Sequence, residues 1–390
     1  MSKMPLGKLD VTLPCGTLVT FGQGNEVEAN LTFHNYECFK KFVLYGDVGF
    51  GESYVDGDWD TGNITNFINW VLLNVAHVPT LSGSTTKTIG LNLLNLVNKL
   101  KHFARRNNLS GSRKNISEHY DLGNDFYRLW LDDTMTYSSA IFETEDTALE
   151  TAQFVKYERL CSKLKLQSSD HVLEIGTGWG SMAAYMAKTY GCRVTTITLS
   201  VEQQKLATDR MKELGLDHLV NVELKDYRFM EGHFDKIVSI EMLEAVGAKY
   251  LPVYFNKINQ LLKPQGILAI QVITCPDSRF KELKKGVDWI QKHIFPGSLL
   301  PSIAAINSAI NQTSDLTLLD LKDLGLHYAK TLNIWHKRFN EKLEEVRQLG
   351  FDDRFIRKWN YYLCYCEAAF AMRNINVMQL VYARPNNLIF

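Results

Sequence analysis

The run Glu174-Ile175-Gly176-Thr177-Gly178-Trp179-Gly180 has the residue types and spacing of a ligand-binding turn. Glycines between an apolar strand and a helix let the backbone approach a ligand closely, and the free N–H groups at the helix start favour electron-rich groups. A dinucleotide site would read GxGxxG, with an acid about 20 residues further on to hold the ribose. Here the glycines are spaced GxGxG, and the next strand ends Thr196-Ile197-Thr198-Leu199-Ser200 without an acid. Both departures count against a nicotinamide cofactor. A second candidate, Glu244, follows the apolar run 234–240. An acid there can simply cap a helix, but the carboxyl edge of a parallel sheet is where open α/β folds bind ligands.

These residues need a frame. From Asp170 onward the sequence alternates strand and helix patterns: strands over 171–175, 193–199, 221–224, 234–240 and 266–273, helices over 181–190, 201–214 and 249–262. That pattern predicts an α/β fold with a doubly wound, Rossmann-like parallel sheet. A helix over 351–372 and a strand over 375–384 close the chain. After Thr274 the alternation lapses for about fifty residues. That stretch is rich in apolar residues, among them Trp289, Ile294, Ile306 and Ile310, and is expected to form a helical insertion over the active-site edge, lining a slot for an acyl chain.

In front lies a smaller α+β unit. Residues 9–13 and 26–33 alternate as half-buried strands, 36–45 read as a helix, and 46–59 are too rich in Gly and Asp for a regular element. An amphipathic helix is expected over 88–106, and the 99–114 run holds Lys99, Lys101, Arg105, Arg106, Arg113 and Lys114 with no acidic residue between them. Such a run is either a solvated linker or a stripe for an anionic membrane surface. The organisation expected is a small lipid- or membrane-associated domain with its basic linker over 1–108 and a catalytic domain over 109–390.

Composition limits the alternatives. The 390 residues balance 43 Lys+Arg against 43 Asp+Glu, which argues against a globally basic nucleic-acid binder. The seven cysteines are scattered without a CxxC pair, so neither a disulfide framework nor a structural metal site is expected. No leader and no run of about 18 apolar residues is visible, so the expectation is a cytoplasmic protein, peripherally associated with the inner membrane face.

Four segments carry a resemblance: Glu118-His119-Tyr120-Asp121-Leu122-Gly123-Asn124-Asp125-Phe126-Tyr127 with Met135-Thr136-Tyr137-Ser138-Ser139-Ala140, the GxGxG loop, Ser239-Ile240-Glu241-Met242-Leu243-Glu244-Ala245-Val246-Gly247, and 328–335. In order and spacing they resemble the cyclopropane-fatty-acyl-phospholipid synthase family of class I methyltransferases, over about residues 110–385 and more loosely at GESYVDGDW. The resemblance implies transfer of a methyl group from S-adenosylmethionine to the double bond of an unsaturated phospholipid acyl chain, with ring closure to a cyclopropane. It implies that Tyr137, Ser138, Glu174, Gly176, Gly178, Thr198, Gln203, Tyr227 and Arg228 bind the cofactor. It implies a bicarbonate ion as base, cradled by Ser139, Glu244, Gln271, Ile273 and Tyr328, with Glu244 of perturbed pKa. A homodimer is one oligomeric state open to such a chain.

The chain departs from the family pattern at three places. Ser139 stands for the usual cysteine, and Gln271 and Ala245 stand for usual histidines. Ser and Gln still donate hydrogen bonds, but Gln271 cannot replace a histidine's charge. Methyl transfer is thus implied more firmly than ring closure. Alternatives are a methyl-branched product, a small-amine N-methyltransferase, or a lipid-binding protein without catalysis.

Overall fold

The computed structural model describes residues 4–24, 26–75, 77 and 122–389. The helix expected over 88–106, the basic run 99–114 and the segment 118–121 lie outside these residues. The chain divides into two compact units, each built from separated segments: Met1–Arg105, Glu282–Pro296 and Leu332–Ile375 in the first, Arg106–Lys281, Gly297–Thr331 and Asn376–Phe390 in the second.

In the first unit, β1 (Lys8–Thr12), β2 (Leu18–Phe21), β3 (Glu28–Phe33) and β4 (Trp59–Asp60) form a sheet of order β2-β1-β3-β4. Against it lie α1 (Glu37–Val55) and α2 (Ile64–Asn74), the latter capped by the Asn63 side chain. The 46–59 segment, expected to be irregular, is helical through Val55. Gly46 takes φ 61° and kinks α1, and the helix then resumes. The glycines that follow allow close packing rather than looseness. A Cβ on Gly49 would sit 2.3 Å from the Lys41 carbonyl oxygen, and one on Gly51 would sit 2.6 Å from Trp289. Trp59 stacks on Phe50 at 4.6 Å and donates from Nε1 to Ser53 at 2.9 Å.

The second unit holds the chemistry. Its strands are β5 (His171–Ile175), β6 (Arg193–Thr198), β7 (Val220–Leu224), β8 (Phe234–Ile240), β9 (Leu262–Thr274), β10 (Thr317–Asp323) and β11 (Asn376–Ala383), in the order β10-β11-β9-β8-β5-β6-β7. From β9 to β7 all pairings are parallel, while β11 runs antiparallel to both its neighbours. The strands are buried on both faces, as parallel sheets require. Leu173, Ile237, Leu268, Ile270 and Leu380 join one core with Tyr254, Phe255 and Ile258. Their neighbours Val172, Val238, Ile267, Ala269 and Val381 join a second core with Tyr157, Leu160, Met182 and Met186.

The helices follow this split. Beneath one face lies α7 (Leu251–Leu261); beneath the other lie α4 (Leu149–Leu164) and α5 (Ser181–Tyr190). The short α3 (Asn124–Arg128) precedes them, and α6 (Val201–Glu213) follows β6. Within 275–325, where alternation lapses, the chain forms α8 (Asp277–Leu283), α9 (Trp289–His293), α10 (Ile303–Thr313) and then β10. Ile306, Ala309 and Ile310 of α10 are buried against α7. Next come α11 (Gly325–Glu341), α12 (Leu343–Gln348) and α13 (Asp353–Ala371).

Candidate active site

The Gly-rich loop leaves the carboxyl end of β5 and is pinned to β6, with Gly176 and Thr177 both donating backbone N–H bonds to the Ile197 carbonyl at 3.0 and 3.1 Å. Gly178 takes φ 52°, and a Cβ built there would meet no atom within 4 Å. The backbone is thus bare on a side that opens into space, the shape needed to receive a ligand. Through Thr196, which also bonds Thr177 Oγ1 at 2.7 Å, the loop is tied to Glu174. Glu174 Oε2 accepts from Thr196 Oγ1 at 2.5 Å, and burial pushes its carboxyl up to about 8.

At the end of β6, Thr198 Oγ1 donates to Gln203 Oε1 at 2.9 Å, and Ser200 caps α6 through the Gln203 N–H. Arg228 is held by Asp226, with Nη2 at 2.5 Å, and Tyr227 packs edge-on to Tyr254 at 5.1 Å. Tyr137 lies among aromatic rings, 5.6 Å from Tyr127 and 5.5 Å from Trp130. Ser138 Oγ accepts from Lys156 Nζ at 2.7 Å. All nine expected cofactor-binding residues therefore lie on or near the carboxyl edge of the sheet, in a loop, a strand end or the segment before α4. This arrangement fits S-adenosylmethionine, with the bare Gly178 backbone as the feature a bulkier residue would destroy.

The second cluster is centred on Glu241, the first residue past β8. Its Oε1 accepts from the Ser139 backbone N–H at 2.9 Å and from Gln271 Nε2 at 2.8 Å, and its Oε2 accepts from the Tyr328 hydroxyl at 2.8 Å. Glu244, three residues on, is more deeply buried. Its Oε1 accepts from the Ile273 N–H at 2.5 Å, and its Oε2 has no hydrogen-bond partner among the described residues. Burial, reinforced by the Glu241 charge, pushes the Glu244 carboxyl up to about 8. Burial also raises Glu241, while Gln271, the Ser139 N–H, the Lys156 charge and Tyr328 pull it back.

The structure thus brings Ser139, Gln271, Tyr328, Ile273 and Glu244 to one edge, but Ser139, Gln271 and Tyr328 converge on Glu241 rather than on Glu244. The donors assigned to a bicarbonate ion already bond to carboxylates of the chain. A further anion would meet the Glu241 carboxyl group at the donors it needs, so the residues present do not fit a bicarbonate.

Several residues here escaped sequence reasoning. Glu241 itself carried a signal: a charged residue directly after an apolar strand at the carboxyl edge. Lys156 did not. It is wholly buried on α4, donates to Ser138 Oγ and to Gln153 Oε1 at 2.6 Å, and burial pushes it down to about 7 against the pull of Glu241 and Asp132. Gln379 and Arg159 form a chain behind Gln271: Arg159 Nη1 donates to Gln379 Oε1 at 2.7 Å, and Gln379 Nε2 donates to Gln271 Oε1 at 2.9 Å. Because Arg159 can only donate, each amide in the chain has one consistent orientation, and Gln271 must present its NH2 group to Glu241.

The sequence profile of the mycolic acid cyclopropane synthetase family matches residues 107–380. The chain is 39% identical over 350 residues to the tuberculostearic acid methyltransferase of Mycobacterium tuberculosis, spanning 87% of this chain and 79% of that protein. It is 37% identical over 359 residues to the cyclopropane-fatty-acyl-phospholipid synthase of Escherichia coli, spanning 91% and 88% of the two chains. Among solved structures it resembles the cyclopropane synthase MmaA2 of Mycobacterium tuberculosis, with TM-score 0.65 and 30% identity over 70% of this chain and 98% of that one. With the doubly wound sheet, the bare glycine loop and the acid cluster at its carboxyl edge, these matches show that the chain belongs to the mycolic acid cyclopropane synthetase family and has its S-adenosylmethionine-dependent methyltransferase fold.

Proposed function

We infer that the protein is a methyltransferase that uses S-adenosylmethionine to methylate the double bond of an unsaturated acyl chain carried by a phospholipid, with loss of a proton closing a cyclopropane ring. The observation that carries this reading is the buried carboxylate cluster of Glu241, Gln271, Tyr328 and Ser139 at the same sheet edge as the open glycine loop. Amine or hydroxyl methylation needs no base that removes a proton from the transferred group. Conversion of an alkene to a cyclopropane does.

S-adenosylmethionine, when bound, supplies an electrophilic sulfonium methyl group. The chain's residues then have two tasks. Gly176, Gly178, Thr198, Gln203 and Tyr137 bind and orient the cofactor, so that proximity provides most of the acceleration. The carboxylate cluster receives the proton that the methylated chain must lose.

A second reading is supported by the similarity to the tuberculostearic acid methyltransferase and by Gln271 at the place of a family histidine. A 1,2-hydride shift that moves the cation onto the methylated carbon, followed by proton loss from the methyl, leaves a methylene branch, isomeric with the ring. No helix among the described residues is long and apolar enough to cross a membrane. We assign access to the lipid to the basic stretch 99–114, acting on an anionic surface from the cytoplasmic side.

The test is to incubate the protein with anionic vesicles of saturated or monounsaturated phospholipid and methyl-tritiated S-adenosylmethionine. Label should enter only the unsaturated lipid, in the acyl chain. Equal labelling of saturated lipid, or label in a headgroup, would overturn the reading.

A further inference from the structure

Resting on that reading, we propose that Glu241 is itself the catalytic base, its carboxylate filling the anion cradle, so that the reaction proceeds without a bound bicarbonate. Three donors from three different parts of the second unit end on this one carboxylate: the Ser139 N–H before α4, the Gln271 amide on β9 and the Tyr328 hydroxyl on α11. Three donors onto two oxygens is the geometry of a bound carboxylate-like anion, and here the anion is tethered to the chain. A carboxylate offers about four lone-pair sites, so one acceptor position on Oε2 is left for an incoming proton.

The backbone agrees. Glu241 has φ 48°, a left-handed conformation uncommon for a residue with a side chain, and its N–H donates to the Gln271 carbonyl at 2.7 Å. Strain of this kind persists where the surroundings impose it and gathers at working sites. Glu241 also lies beside the open loop: the side chain of its neighbour Met242 is what a Cβ on Gly176 would meet, at 3.4 Å. The Arg159–Gln379–Gln271 chain, anchored where Arg159 also pairs with Asp320 at 2.5 Å, holds the Gln271 NH2 group on Glu241.

The step balances within the site. The alkene electron pair forms a bond to the incoming methyl as the methyl–sulfur bond breaks, its pair staying on sulfur so that S-adenosylhomocysteine is the leaving group, and a cation is left on the neighbouring chain carbon. A C–H bond of the added methyl breaks, its electron pair forms the new carbon–carbon bond, and the proton passes to Glu241 Oε2. The proton then leaves to solvent before the next turnover. No oxidant or reductant is involved.

Two substitutions separate an internal from an external base. Glu241→Gln keeps the shape: its oxygen can still accept from Ser139 and Gln271, and Tyr328 can turn to accept from the amide. Turnover should fall by about 10²-fold or more, as for loss of a positioned base, with unchanged S-adenosylhomocysteine affinity by calorimetry. Glu241→Gly relaxes the backbone and frees the three donors. It should be inactive in bicarbonate-free buffer and regain turnover as bicarbonate is added, while the parent protein is indifferent to bicarbonate throughout. A parent that loses activity in bicarbonate-free buffer, or a fully active Glu241→Gln, would overturn the proposal. Carbon-13 NMR of labelled bicarbonate gives a readout that needs no substrate: line broadening is expected with Glu241→Gly and none with the parent. Broadening by the parent refutes the internal base even if the lipid substrate were wrong, whereas failure to label any unsaturated lipid refutes only the reading on which it rests.

Discussion

Glu244→Gln should reverse sign as a stability mutation between acid and alkaline pH. The Glu244 carboxyl is buried, bonded at Oε1 to the Ile273 N–H and unpartnered at Oε2 among the described residues. Burial first, and then the Glu241 charge, raise it from 4.5 to about 8. This is the opposite of the usual carboxylate case. The native protein retains a proton that the unfolded chain releases, so the group's contribution falls as pH rises from the unfolded value through the native one. At 1.36 kcal/mol per pH unit of displacement, the cost in the parent is about 1 kcal/mol at pH 5, about 3 at pH 7 and about 4 at pH 8. Gln titrates nowhere in this range and carries only a constant penalty, about 1–3 kcal/mol, for a buried amide NH2 without an acceptor. The variant should therefore be no more stable than the parent at pH 5 and more stable at pH 8, with the difference moving by about 3 kcal/mol across that span. Glu174, also raised to about 8 by burial, titrates in both proteins and cancels. Urea unfolding of the ligand-free proteins at four pH values measures this directly. Parallel stability curves would show that Glu244 is already ionised at neutral pH, and the burial argument would fail.

Three further outcomes follow from the geometry. Gly178→Val puts a β-branched residue at φ 52° and fills the space that no atom now approaches; S-adenosylhomocysteine binding by calorimetry should weaken by about tenfold or more, since left-handed backbone alone costs such a residue about 1–2 kcal/mol, and undiminished binding would remove the loop from the site. Ile310→Ala empties a wholly buried position between α10 and α7 and should cost about 2–5 kcal/mol in urea unfolding; a cost below that of a surface change would mean α10 is not part of the core. Replacing the basic residues of 99–114 by Gln should reduce sedimentation with anionic vesicles and abolish its salt dependence; equal binding to neutral vesicles by the parent would make the stretch a plain linker.

The sheet was legible because period-two burial on both faces makes each strand of the second unit a short apolar run, and because GxGxG marks a turn that only glycine tolerates. Strand β10 was not legible: as an edge strand with exposed Leu319 and Leu321 it shows no continuous apolar run. The helical part of 46–55 was hidden for a different reason. Gly51 answers to Trp289 and Tyr361, residues distant in sequence, and composition alone reads the segment as a loop. The site was legible in its members but not in its centre. Ser139, Gln271 and Tyr328 were identified through resemblance, whereas their convergence on Glu241 depends on a backbone twist after β8 that spacing does not reveal. Lys156 lies on α4, outside the motif whose Ser138 it supports, and Gln379 lies far along the chain from Gln271.

The central step is methylation of an alkene followed by loss of one proton from the added methyl to the carboxylate cluster. Mass spectrometry after reaction with trideuteromethyl S-adenosylmethionine and a monounsaturated phospholipid tests it in one experiment. The acyl chain should gain a CD2 unit, one deuteron having been removed from the transferred group, and proton NMR of the product then distinguishes a ring from a methylene branch. A lipid product that keeps all three deuterons, or a CD3 group found on a headgroup nitrogen, would contradict it.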